Sequence, residues 1–280
     1  MLGMIESFRY LFAERGIELS APNVVQTMSV DELKEIVPQH DGWIIGDDPA
    51  TREVFEAGKA GNLKAAVKWG IGVDNVDFDA CKDLDIPIIN TPDMFGREVA
   101  DVAMGYVIAL ARETFEIDRA VRKGEWIKPR GISLSGKTVA LVGFGDIGQS
   151  TAKRLLAADM NVIAYDPFAD NNPNLPEVKR AVWPNRIEEA DFIIVTCSLT
   201  KSSYHMVNPD VFKQAKDGVR VVNVGRGPVI DETSLEDALK SGKVYSAALD
   251  VFEIEPLPMD SYLRTPPHCI FGSHNASNTA

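Results

Sequence analysis

One stretch constrains this chain more than any other. Residues 139–142, Val-Ala-Leu-Val, form an apolar β-branched run that passes directly into Gly143-Phe144-Gly145-Asp146-Ile147-Gly148, and helical spacing follows. A strand that meets GxGxxG and continues as a helix is the opening unit of a doubly wound sheet that binds a dinucleotide. Gly143 permits the tight turn, Gly145 lets the backbone approach a pyrophosphate, and Gly148 lets helix and strand pack closely. The helix start adds free N–H groups and a positive dipole end. Eighteen residues after Gly148, Asp166 closes the next apolar run, where an acid accepts from ribose hydroxyls and repels a 2′-phosphate. Tyr165-Asp166-Pro167 offers no arginine to meet such a phosphate, so the residues point to NAD rather than NADP.

The same grammar extends through the rest of the chain. Apolar runs at 139–142, 162–165, 192–196, 219–224, 247–251 and 269–271 alternate with helical patterns at 147–158, 186–190, 209–215 and 233–241. Strands apolar on both faces and separated by helices require a parallel sheet covered on both sides, so the fold class is α/β with a doubly wound parallel sheet. The first 90 residues repeat the pattern more weakly. Helical patterns at 5–15, 31–37, 50–57 and 78–84 accompany runs at 42–45, 63–67 and 86–89, which predict a second, smaller α/β unit. The turn Asn90-Thr91-Pro92-Asp93 is the candidate hinge, and one long helix is predicted over 97–123.

Composition removes other classes. A formal charge of −12, with no Lys/Arg run longer than two residues, disfavours nucleic acid and anionic membrane partners. Cys81, Cys197 and Cys269 are odd in number and far apart, which suits neither a disulfide framework nor a zinc site and fits a reducing cytoplasm. No signal-peptide pattern and no apolar stretch of spanning length is visible, so a soluble cytoplasmic protein is expected. Gly131-Ile-Ser-Leu-Ser-Gly136-Lys137-Thr138 matches the letters of a P-loop, but it precedes a strand where a P-loop must follow one.

Further candidates lie where strands end. Val224-Gly225-Arg226-Gly227 closes an apolar run, and ligands of open parallel sheets bind beyond the carboxyl ends of the strands. A guanidinium between glycines is a bidentate clamp for a carboxylate. Asp250, Glu253 and Glu255 follow another run, and His274 follows the last. Interconverting a carbonyl and an alcohol needs a proton donor and acceptor near neutral pH, which imidazole provides, and a carboxylate to hold its tautomer. Spacing alone does not choose among His40, His205, His268 and His274, nor pair Glu255 with His274.

Taken in order, the strand-GFGDIG-helix, Tyr165-Asp166-Pro167, Asn223-Val224-Gly225-Arg226-Gly227, the run from Leu249 to Pro256 and Gly272-Ser273-His274 resemble the D-isomer-specific 2-hydroxyacid dehydrogenases, phosphoglycerate dehydrogenases among them. Upstream, the run from Lys68 to Asp77 and Asn90-Thr91-Pro92 look like that family's substrate loop and hinge. The resemblance implies a Rossmann NAD domain over 91–269 and a flavodoxin-like substrate domain over 1–90, with 270–280 starting the return to it. It also implies a chain shortened at both ends and a homodimer built on 97–123 and Trp126. It implies that Arg226 binds the substrate carboxylate and carbonyl, that His274 is the general acid/base and that Glu255 orients the imidazole. Asp250 is implied near the nicotinamide carboxamide, with further NAD contacts from Asp146, Ile147, Cys197, Val224 and Gly225. The amides of Ile71 and Gly72 are implied as a cradle for the substrate carboxylate. The expected reaction is hydride transfer between NAD(H) and a D-2-hydroxy or 2-oxo acid, with cleft closure about the hinge. An NAD-sensing dimeric binding protein or corepressor on the same scaffold is the alternative. Two departures stand out. Gly272-Ser273 replaces the usual Thr-Pro before the histidine, and Gly46-Asp47-Asp48-Pro49 is acidic where a phosphate grip would be basic unless Lys68, Lys128 or a partner subunit supplies the charge.

Overall fold

The structure is a computed structural model that describes residues 5–24 and 27–279. The chain divides into two compact units between Thr91 and Pro92, inside the turn read as a hinge.

In the first unit α1 (Ile5–Ala13) and α2 (Val30–Ile36) precede β1 (Gly42–Ile45), α3 (Arg52–Ala60), β2 (Ala65–Lys68), α4 (Phe78–Asp83) and β3 (Ile88–Asn90). The strands form a parallel sheet in the order β1-β2-β3. Ser29 and Glu32 close a reciprocal capping box that starts α2. Leu33, Ile45, Val54, Phe55 and Cys81 make up much of its buried core.

The second unit opens with α5 (Gly96–Arg112) and α6 (Thr114–Arg122). Next come β4 (Thr138–Val142), α7 (Asp146–Ala157), β5 (Asn161–Tyr165), β6 (Lys179–Arg180), β7 (Phe192–Val195) and α8 (Pro209–Gln214). β8 (Val219–Asn223), α9 (Glu232–Lys240), β9 (Val244–Leu249) and β10 (Ile270–Phe271) complete it. Seven strands pair in the order β10-β9-β8-β7-β4-β5-β6, every pair parallel. Strand alternation feeds two cores. Ala140, Val142, Ile163, Tyr165, Ile193 and Val195 enter one, while Val139, Leu141, Val162, Ala164, Phe192 and Ile194 enter the other. That two-sided burial is why each strand reads as a continuous apolar run. The strand order reverses between β4 and β7, which puts the ligand crevice of such a sheet beyond their carboxyl ends.

The differences from expectation are local. The single helix over 97–123 is two, broken at Glu113, whose φ of 55° is left-handed and ends α5. The helical pattern at 186–190 is a 3-10 turn, Ile187–Glu189, entered through a left-handed Arg186. β6 is short and polar and gave no apolar signal. β10 pairs with β9, and the segment through Thr279 belongs to the second unit.

Candidate active site

The glycine turn needs its glycines for different physical reasons. Gly143 has φ +98°, and a Cβ there would meet the Cys197 amide nitrogen at 2.6 Å. A Cβ on Gly148 would strike the Gly143 carbonyl. At Gly145 a Cβ would meet nothing within 4 Å, so open space faces the start of the twelve-residue α7, where a pyrophosphate fits. Thr196 braces the turn, donating to the Val142 carbonyl at 3.1 Å and the Gly143 carbonyl at 3.0 Å. The Asp166 carboxylate accepts from the amides of Phe144 (2.8 Å), Phe168 (2.9 Å) and Ala169 (3.1 Å). It thereby ties the turn to the end of β5.

Three other sequence candidates at this turn have structural surroundings of their own. Asp146 packs its carboxylate against Gly96 at the start of α5, and Ile147 accepts the Thr151 hydroxyl through its carbonyl at 2.8 Å. Cys197 is wedged between Gly143 and Gly225, and burial pushes its thiol up to about 12, so it is a neutral wall and not a nucleophile. Tyr165-Asp166-Pro167 itself holds no arginine, but the fold supplies one nearby. β6 brings Arg180 there, donating to the Asp166 carbonyl at 2.5 Å with its guanidinium 5.0 Å from the Phe144 ring. The sequence hid this because Arg180 lies fourteen residues away on a two-residue polar strand.

At the end of β8, Asn223 is 1% exposed and accepts from the Gly225 amide at 3.0 Å while donating to the Arg226 carbonyl at 2.9 Å. It fixes the Gly-Arg-Gly turn, a role the motif contained but spacing did not reveal. Buried Val224 bonds back to the Val195 carbonyl, and a Cβ on Gly225 would meet the Cys197 carbonyl at 2.7 Å. Arg226 donates to the Gly225 carbonyl at 3.0 Å and lies 3.5 Å from His274 Nε2.

His274 is held from two sides. Its backbone amide donates to the Asp250 carbonyl at 2.7 Å, and the Ala276 amide donates to the Asp250 carboxylate at 3.0 Å. Asp250 is 3% exposed, with the Tyr106 hydroxyl 3.5 Å from its other oxygen. Burial and this carboxylate push the Tyr106 phenol well above its ordinary range. The Asp250 side chain therefore anchors the loop that carries His274. On the ring, Nδ1 lies 2.8 Å from Glu255 Oε2, while Glu255 Oε1 accepts from the Phe252 amide at 2.9 Å. A carboxylate on Nδ1 keeps the proton there and leaves Nε2, the atom facing Arg226, to exchange one. The other histidines have different neighbours: His205 bonds Glu253, and His268 stands against Glu113 and Glu116. Ile71 and Gly72 lie in the loop after β2, in the first unit, where the Gly70 amide donates to Thr91 Oγ1 at 2.9 Å.

Residues 104–276 match the D-isomer specific 2-hydroxyacid dehydrogenase family, NAD binding domain. The chain belongs to that family. It is 41% identical to a hydroxypyruvate reductase of Thermotoga maritima over 93% of this chain and 87% of that protein. It is 36% identical to a D-3-phosphoglycerate dehydrogenase of Archaeoglobus fulgidus over 95% of this chain, which spans 50% of that longer protein. Among solved structures, a glyoxylate reductase from Paecilomyes thermophila matches with a TM-score of 0.76 and 33% identity, over 82% of this chain and 70% of that one. The TT0316 protein from Thermus thermophilus matches with a TM-score of 0.88 and 28% identity, over 98% and 87%. This 2-hydroxyacid dehydrogenase is an NAD-dependent oxidoreductase of 2-hydroxy acids, with NAD(H) as cofactor. None of its described helices is long and apolar enough to cross a membrane.

Proposed function

We propose that this chain interconverts a short, unphosphorylated 2-oxo acid with its D-2-hydroxy acid, hydroxypyruvate and glyoxylate being the first candidates. The carrying observation is the array at the ends of β8, β9 and β10: Glu255 Oε2 2.8 Å from His274 Nδ1, and Arg226 3.5 Å from Nε2. Bound NAD(H) supplies or accepts the hydride. The Gly143–Gly148 turn holds its pyrophosphate and Asp166 its ribose, with Asp146, Ile147, Cys197, Val224, Gly225 and Asp250 completing the wall. Arg226 binds the substrate's carboxylate and polarises its carbonyl. His274 Nε2 delivers a proton to the carbonyl oxygen during reduction and removes it from the hydroxyl during oxidation. Glu255 holds the ring in the productive tautomer. Ile71 and Gly72 offer backbone amides to the substrate.

The loop at 46–49 supports the choice of substrate. Asp48 accepts the Met28 amide at 2.8 Å, and Lys68, buried at 1% exposure, donates to the Gly46 carbonyl and lies 3.5 Å from Asp47. Lys68 is thus engaged within the loop by an acid that would oppose a phosphate. Relatives named as hydroxypyruvate reductase, D-3-phosphoglycerate dehydrogenase and glyoxylate reductase do not favour the corepressor alternative. NADH oxidation across hydroxypyruvate, glyoxylate, pyruvate and 3-phosphohydroxypyruvate tests the reading. Preference for an unphosphorylated acid is expected, and a phosphorylated acid turned over best would overturn it.

A further inference from the structure

A second cluster lies outside the redox site and is unused by it. Glu113, at the left-handed break between α5 and α6, is 5% exposed. His268 Nδ1 lies 3.4 Å from Glu113 Oε2 and 2.8 Å from Glu116 Oε2. Yet Glu113 Oε1, Glu116 Oε2 and His268 Nδ1 are all buried atoms without a hydrogen-bond partner. The imidazole and the carboxylates therefore crowd one another without lying along a hydrogen-bond direction. The Tyr245 hydroxyl hydrogen-bonds Glu113 and the Arg220 guanidinium offsets part of its charge, while Glu113 Oε1 and Glu116 Oε2 stay buried and unbonded, which is costly unless a further cation compensates them.

We propose that Glu113, Glu116 and His268 form a binding site for a divalent transition metal ion of the zinc type. One ligand atom from each falls within 4.8 Å of the others. Ligands about 2.0–2.2 Å from one tetrahedral ion stand about 3.4 Å apart, which the His268–Glu113 spacing of 3.4 Å meets and the His268–Glu116 spacing of 2.8 Å would reach by a small opening. A metal would take the in-plane lone pair of the imidazole and leave the carboxylates off that axis, in keeping with the lack of a hydrogen bond between Nδ1 and either carboxylate. An imidazole nitrogen selects zinc-like ions over magnesium or calcium. Glu116 and His268 keep side-chain exposures of 26% and 31%, which gives the ion an entry path. Tyr245 stacks on the His268 ring at 4.9 Å, and Arg220 lies over Tyr245 at 4.8 Å, so aromatic and cationic groups bound the cluster on the sheet side. The other His/acid group, His205, Asp231 and Glu253, is already committed. His205 Nε2 bonds Glu253 at 2.7 Å, and Asp231 caps α9. An ion at the first cluster would tie the α5–α6 corner to the segment that reaches His274 six residues later.

Calorimetric titration of the chelator-treated chain with ZnCl2 tests this, with CoCl2 as a visible-absorption probe of tetrahedral N/O coordination. One equivalent is expected to bind and to raise Tm. His268→Asn and Glu116→Gln, each checked for native circular dichroism, should weaken binding at least about tenfold and abolish the Tm shift. Two variants guard against a folding failure in either one. Absence of stoichiometric binding overturns the proposal. So does binding that neither substitution changes, because it would assign the ion to the cysteines or to the His205 group.

Discussion

Arg226 sits between two glycines, with its main chain fixed by buried Asn223, so its guanidinium has a defined origin from which to reach a carboxylate. The planar fork, and not only the charge, is what such a clamp uses. Arg226→Lys keeps the charge and loses the fork. It should raise KM and lower kcat together, reducing kcat/KM by about 10–100-fold, the worth of one charge-assisted hydrogen bond. Steady-state kinetics that stay near wild type would remove Arg226 from substrate binding. Glu255 differs in kind. It touches Nδ1 and the Phe252 amide, not the face toward Arg226, so the role proposed for it is to position the imidazole.

Strand ends converge on the glycine turn so tightly that backbone occupies the space of a side chain. Gly143→Ala adds a Cβ against the Cys197 amide at a positive φ, and the expected cost is about 1–3 kcal/mol with weakened NAD binding. Thermal melts with and without NAD check this, and a variant with unchanged Tm and NAD affinity would contradict it. Elements of this kind were legible from sequence because two-sided burial turns a strand into an apolar run and its closing turn into glycine. The strand order and the pairing of Glu255 with His274 were not legible. The first depends on which strands meet, and the second on a loop from Gly272 folded back onto Asp250. The helix break at Glu113 escaped because its neighbours keep helical apolar spacing on both sides. Arg180 escaped because a two-residue edge strand carries no pattern.

Over the whole molecule, the net charge of −12 is consistent with the proposed recognition of a small acid through Arg226 and not through a broad basic surface. Ile108, Phe115, Val121 and Trp126 on α5, α6 and the segment after them remain 42%, 46%, 44% and 80% exposed. Apolar exposure of this kind suits a subunit contact, and we propose that it forms a homodimer. Light scattering at micromolar concentration should give twice the chain mass of 30.7 kDa, and Trp126→Glu should shift it toward the monomer. A monomeric wild type would count against that surface.

In the proposed reaction His274 Nε2 moves the proton while Arg226 holds the acid. Initial rates of NADH oxidation with hydroxypyruvate, compared between wild type and His274→Gln at matched NADH saturation, test it most directly. Turnover by the wild type and a loss of about 10²–10⁴-fold in kcat for the variant, with NADH affinity unchanged, is the predicted result. A variant that reduces hydroxypyruvate within a few-fold of the wild-type rate would contradict it.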